Sequence, residues 1–189
     1  MARISFVSKE QASPEALDVF KRIESRGARV VNLYRVLLHN PEATLQFMRL
    51  GNSLLLRCHL DHRLRELAIL RLAGLVGSQY EWVQHVPLAV ECGVTQEQVE
   101  AIAGWRSSTA FDDLDRAVLA YTDEVAQQAQ VQDSTFQELA RHLDERSIVE
   151  LTLSVGYWGL VARLVESLKV DMDPVLPGSP REMLGGRSP

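Results

Sequence analysis

The sequence predicts an all-α protein, a bundle of about eight to nine helices, and three observations predict it. Helix start and stop signals recur along the 189-residue chain. The apolar residues between them repeat at helical rather than strand spacing. Period-two alternation bounded by turn residues hardly occurs.

Taken in order, Ser13 followed by Pro14 reads as an N-cap and first helical residue, and Gly27 closes that helix. "VVNLYRVLLHN" reads as a short apolar helix stopped by Asn40 and Pro41, after which "PEATLQFMRLGNSLLLRC" starts another. Asp61 caps a helix from His62 to about Val76. Gly77 then stops one helix and Ser78 starts the next. "SQYE" has the capping-box pattern, and "TQEQ", beginning at Thr95, repeats it after a helix end at Gly93. "DDLDRAVLAYTDEVAQQAQ" reads as a long amphipathic helix, Asp133 or Ser134 opens another, and Asp144 opens the last, to about Lys169. From Asp173 to Pro189 the composition turns to Pro, Gly, Ser and Arg without periodicity. These signals predict a single domain over residues 1–172 and a flexible tail over 173–189.

Composition removes several function classes. Acidic residues outnumber basic ones by 25 to 20, for a net charge of -5, which supplies no cationic footprint for nucleic acid. "MARISFVSKEQ" lacks the continuous apolar run of a signal peptide. "LTLSVGYWGLVARLVESLKV" is interrupted by Arg163, Glu166 and Lys169, which makes it a poor membrane span. Cys58 and Cys92 do not form a Cys-x-x-Cys and imply no disulfide framework. The expectation is a cytoplasmic protein with no nucleic-acid or membrane partner.

The segment "ELAILRLAGLVGSQYEWVQH", Glu66 to His85, holds the candidate chemistry. Helical spacing puts Ile69, Leu70 and Ala73 on the side of Glu66, an unusual place for a carboxylate. A desolvated carboxylate needs a cation or hydrogen-bond donor beside it, and a histidine fits that need. His85 lies one turn beyond Glu81 on the next helix, and the Gly77–Ser78 turn folds that helix back toward Glu66. Pro87 adds a possible kink just after His85. Ser78 and Glu81 read first as cap residues. Tyr80 and Trp82 can line a pocket or pack in the core. "HLDHRLRE" has the look of a metal-ligand run, but His59 precedes the cap at Asp61 and need not share a helical face with His62 and Glu66.

"LDHRLRELAILRLAGLVGSQYEWVQHVPLAVECGVTQEQVEAI", residues 60 to 102 in this chain, resembles the core of the carboxymuconolactone decarboxylase family, which includes the alkylhydroperoxidase-D-like proteins. In the alkylhydroperoxidase-D branch a Glu is followed by cysteines twelve and fifteen residues later and a His at nineteen. Here those positions hold Glu66, Ser78, Glu81 and His85, so the Glu and His are kept and both thiols are gone. A thiol peroxidase needs an attacking and a resolving cysteine, so peroxidase activity is disfavoured. In the decarboxylase branch the resemblance implies cofactor-independent, metal-free acid-base chemistry on a small lactone or carbonyl acid, as in aromatic compound catabolism. His85 is then the proton donor or shuttle and Glu66 the group that orients and tunes it. Ser78, Tyr80, Glu81 and Trp82 would stand around the pair. Arg63, Arg65 and Arg71 are unranked candidates for a substrate carboxylate. The resemblance also implies a homo-oligomer, a trimer or hexamer. The alternative is a non-catalytic oligomeric binding module of the same fold.

Overall fold

A computed structural model describes residues 1–173. Among the described residues the structure is all-helical: α1 Pro14–Glu24, α2 Asn32–Leu37, α3 Pro41–Leu56, α4 His62–Val76, α5 Gln79–Glu91, α6 Gln96–Ala101, α7 Asp113–Gln128, α8 Asp133–Ala140 and α9 Glu145–Leu168, with a 3-10 segment at Ile102–Ser107 between α6 and α7. The all-α class and the helix number agree with the sequence expectation.

The helix starts follow from side-chain caps. Ser13 accepts from the Ala16 amide, Asp61 from Leu64, Ser78 from Glu81, and Asp112 from Asp115. Each satisfies a donor that the first turn leaves without an intrahelical acceptor. Thr95 and Gln98 form the reciprocal capping box expected from "TQEQ". α2 is shorter than its apolar stretch, because Val31 is extended at ψ 162° and the helix begins only at Asn32.

The chain forms two compact units. The first holds residues 1–56 together with 164–173 of the described chain. Its core is Ala16, Val19, Phe20 and Ile23 of α1 against Leu38. Within this unit the Arg3 amide donates to the Leu168 carbonyl at 2.8 Å. The expected tail lies outside the described residues except for Asp173. That residue is buried, and its carboxylate accepts from the Asn32 amide at 3.0 Å, capping the start of α2.

The second unit, Arg57–Arg163, carries the candidate site. Leu67 and Leu70 of α4, Ala89 of α5, Val99, Ile102, Trp105, Phe111 and Leu119 form its core. α4 is buried at every residue from Leu64 to Leu70, so nearly its whole circumference is enclosed. α9 is long and apolar enough to cross a membrane, with a mean hydropathy of 1.4 over its most apolar window. More than half of that window is buried inside the protein, as a core helix requires.

Candidate functional site

The site is built on the α4–α5 hairpin. Gly77 ends α4 in the left-handed region at φ 68°, which a residue without Cβ adopts freely. The Ser78 amide then donates to the Ala73 carbonyl at 2.9 Å. Ser78 immediately starts α5 by accepting from the Glu81 amide at 3.4 Å. Two adjacent residues thus close one helix, reverse the chain and open the next. The reversal lays His85 across Glu66.

Glu66 is fully buried, and both its oxygens are engaged. Oε2 lies 2.7 Å from His85 Nδ1. Oε1 accepts from Arg65 Nε at 3.0 Å and Nη2 at 2.8 Å. Arg65 is itself 2 % exposed, and its Nη1 reaches the Cys58 sulfur at 3.3 Å. The other ring nitrogen of His85, Nε2, faces Glu81 Oε2 at 3.6 Å. Trp158 of α9 meets the His85 ring at right angles, with centroids 5.5 Å apart, and Tyr157 packs on Trp158 at 5.1 Å. The imidazole is therefore fixed by its Nδ1 contact with Glu66 and the aromatic ring at its side, while Nε2 faces a second carboxylate beyond hydrogen-bond distance.

Burial pushes the Glu66 carboxyl up, but the charge and hydrogen bond of His85, followed by those of Arg65, outweigh it and hold Glu66 below the ordinary carboxylate value. Burial likewise pushes the His85 imidazole down. Glu66 overrides this, Glu81 adds to the effect against a smaller push from Arg65, and the imidazole ends above its ordinary value. Each partner thus favours the charged form of the other, the carboxylate at Glu66 and the imidazolium at His85. With Nδ1–H committed to Glu66, Nε2 is the position where a proton is gained or lost.

The sequence-predicted residues divide clearly. Glu66 and His85 meet, and Glu81 joins them. Ser78 is the cap expected of it, and the Glu81 amide is what it caps, while the Glu81 carboxylate faces the imidazole. Tyr80 is buried, and Trp82 packs against the core around Leu67 and Leu70. His59 faces Asp144 Oδ2 at 3.3 Å rather than joining His62 and Glu66 in a ligand set. Each of the three candidate arginines is already engaged. Arg63 pairs with Asp115 at 2.7 Å, Arg65 with Glu66, and Arg71 with Asp123 at 2.5 Å and with the carbonyls of Ile102 and Ala103. Neither Cys58 nor Cys92 is in a disulfide. One neighbour of the pair escaped the sequence reading and the role of another was not separated from its equivalents. Trp158 sits in a generic apolar helix with no local mark of its role, and Arg65 was one of three equivalent cations.

A helical protein with a buried carboxylate–imidazole pair across a two-helix hairpin is the class this geometry defines. Residues 41–124 match the model of the Carboxymuconolactone decarboxylase family, so this segment, which holds the α4–α5 hairpin, is similar to that family. An Agrobacterium tumefaciens protein of unknown function, provisionally described as an antioxidant defence protein AhpD, is 26% identical; the match covers 73% of this chain and 94% of that one, with a TM-score of 0.67. The debrominase Bmp8, solved with a brominated pyrrole, shares the fold at 20% identity, with 97% and 98% of the two chains covered and a TM-score of 0.74. So does an alkylhydroperoxidase AhpD core protein, an uncharacterized peroxidase-related protein from Ralstonia eutropha, at 16% identity, 100% and 97% coverage and a TM-score of 0.77. No curated protein matches the chain in sequence.

Proposed function

We propose that the protein is a cofactor-independent enzyme performing acid-base chemistry, decarboxylation or isomerisation, on a small lactone or related carbonyl compound. The observation that carries this is the 2.7 Å bond between His85 Nδ1 and the fully buried Glu66, whose other oxygen is held by Arg65. A buried ion pair costs several kcal/mol of desolvation and is weak evidence for stability, so a titrating pair placed here points to use. Glu66 fixes the tautomer and keeps the proton on the imidazole. His85 Nε2 then serves as the acid that protonates carbon after CO2 leaves, or that hydrogen-bonds a carbonyl oxygen while a C–H proton moves.

The AhpD-like neighbours suggest peroxide chemistry as another reading, but it needs paired thiols where this chain has Ser78 and Glu81. A non-catalytic oligomeric binding module of the same fold is the remaining reading, since a fold does not by itself fix a function. Under either reading we expect a homo-oligomer, trimer or hexamer. Val149, Leu153 and Leu160 lie along one side of α9 and are exposed at 56%, 44% and 49%, which leaves apolar surface for another copy.

Proton NMR of carboxymuconolactone and of the neutral α-angelica lactone, each incubated with wild type and His85→Ala, tests the enzyme reading. Product from at least one lactone with wild type alone is the expected result, with circular dichroism verifying that the variant folds. Equal turnover by the folded variant, or no turnover of either lactone by wild type, would overturn it.

A further inference from the structure

We propose that the site selects a substrate that carries no carboxylate, a neutral unsaturated lactone or similar carbonyl compound, and that Glu81 sets this charge preference and carries the migrating proton. The inference deepens the acid-base reading above and rests on it. It follows from what already surrounds the reacting edge of the imidazole. Nδ1 is taken by Glu66, so Nε2 is the edge that can meet a substrate. At that edge stands the Glu81 carboxylate, 3.6 Å away and almost fully buried. A substrate carboxylate brought to Nε2 would place a second negative charge within a few ångströms of Glu81 in a desolvated setting, where like charges repel far more strongly than in water.

The charges of the site are also balanced without a substrate anion. Glu66 and Glu81 face Arg65 and the His85 imidazole, whose charged form both carboxylates favour. The cations that could have received a carboxylate on α4 are committed elsewhere: Arg63 to Asp115, Arg71 to Asp123, and Arg65 to Glu66. A neutral lactone disturbs none of these pairs. Its carbonyl oxygen can accept from Nε2–H, and the aromatic edge formed by Trp158 suits a flat, uncharged ring.

The reaction that fits is an isomerisation. The Glu81 carboxylate takes a proton from the carbon next to the carbonyl. The C–H electron pair moves into the conjugated system and builds negative charge on the carbonyl oxygen, which His85 Nε2–H stabilises. The protonated Glu81 returns the proton at the far end of the conjugated system and the double bond shifts. The product is an isomer, Glu81 is regenerated, and no other reactant is needed.

Paraconic acid and its methyl ester share one lactone skeleton and differ in charge, so they test the preference directly. Each is titrated into wild type labelled with 15N-histidine, and the ring signals of His85 report binding. The ester is expected to bind about tenfold or more tightly than the carboxylate, and Glu81→Gln to bring the ratio close to one. Equal or tighter binding of the carboxylate to wild type, or no shift of the His85 signals by either compound, would overturn the proposal. Turnover is scored separately with the two lactones named above. Ester-selective binding without turnover removes the enzyme reading and leaves the charge preference standing. Turnover that favours carboxymuconolactone keeps the enzyme reading and removes the charge preference.

Discussion

Two of the buried carboxylates in the second unit, Asp123 and Glu66, are held in different ways. Asp123 of α7 accepts from Arg71 Nε at 2.5 Å, Trp105 Nε1 at 3.2 Å and Arg106 Nη2 at 3.0 Å. Those partners are two guanidinium groups and an indole N–H, which act here only as donors. Glu66 is more deeply enclosed, and one of its partners is an imidazole, a group that ordinarily exchanges a proton near neutrality. Asp123 is a brace that ties α4, α7 and the 3-10 segment together. Glu66 is half of a device that can change its state. That difference in partners is the ground on which we propose chemistry at Glu66 and a structural role at Asp123.

Exchanging the two roles gives the sharpest test. His85→Ala is expected to lower turnover by roughly 10²–10⁴-fold, the usual worth of a positioned general acid or base, as read in kinetics on the lactone that wild type converts. Asp123→Ala should cost about 3–5 kcal/mol in urea unfolding, because it leaves Arg71 without its carboxylate, while kcat of the folded fraction changes little. A larger kcat effect at Asp123 than at His85 would invert the comparison.

The third test is pH. His85 is raised above its ordinary 6.5, so its contribution is complete below that value and is lost as pH climbs through the folded-state pKa above it. Glu66 is lowered below its ordinary 4.5, so its contribution is present above that value and is lost as pH falls through the folded-state pKa below it. Urea midpoints should therefore fall on the alkaline side of 6.5 in wild type, and that fall should be absent in His85→Ala. A persistent alkaline fall in the variant would mean that another group sets it. The smallest effect is expected at Ser78→Ala, about 1 kcal/mol from loss of the α5 cap, measured by thermal denaturation with turnover nearly unchanged.

The helix phases and the Glu66–His85 pair were legible in the sequence because their determinants are local. Asp61, Gly77 and Ser78 set where two helices start and stop, and a fixed rise per residue then puts nineteen residues' separation across one hairpin. The partners of the pair were less legible. Arg63, Arg65 and Arg71 share a charge and a helix, and what separates them is the acid each one meets, Asp115 and Asp123 being far along the chain. Trp158 lay in a run of apolar residues whose inward side is chosen by tertiary packing. The i,i+4 spacing put Glu81 and His85 on one face, but Glu81 was read first as a cap residue, a role its backbone amide serves while the carboxylate faces the imidazole. Asp173 was read into a tail by composition, and its contact with α2 is a long-range bond that composition cannot carry.

The helical hairpin that unites Glu66 and His85 has a consequence for how the protein folds. The contact spans few residues, so its loop closes early at small entropic cost, before the distant α9 docks Trp158 against it. The acid-base pair is then among the earliest specific contacts of the chain, and its amides should be among the first protected in pulsed hydrogen exchange during refolding.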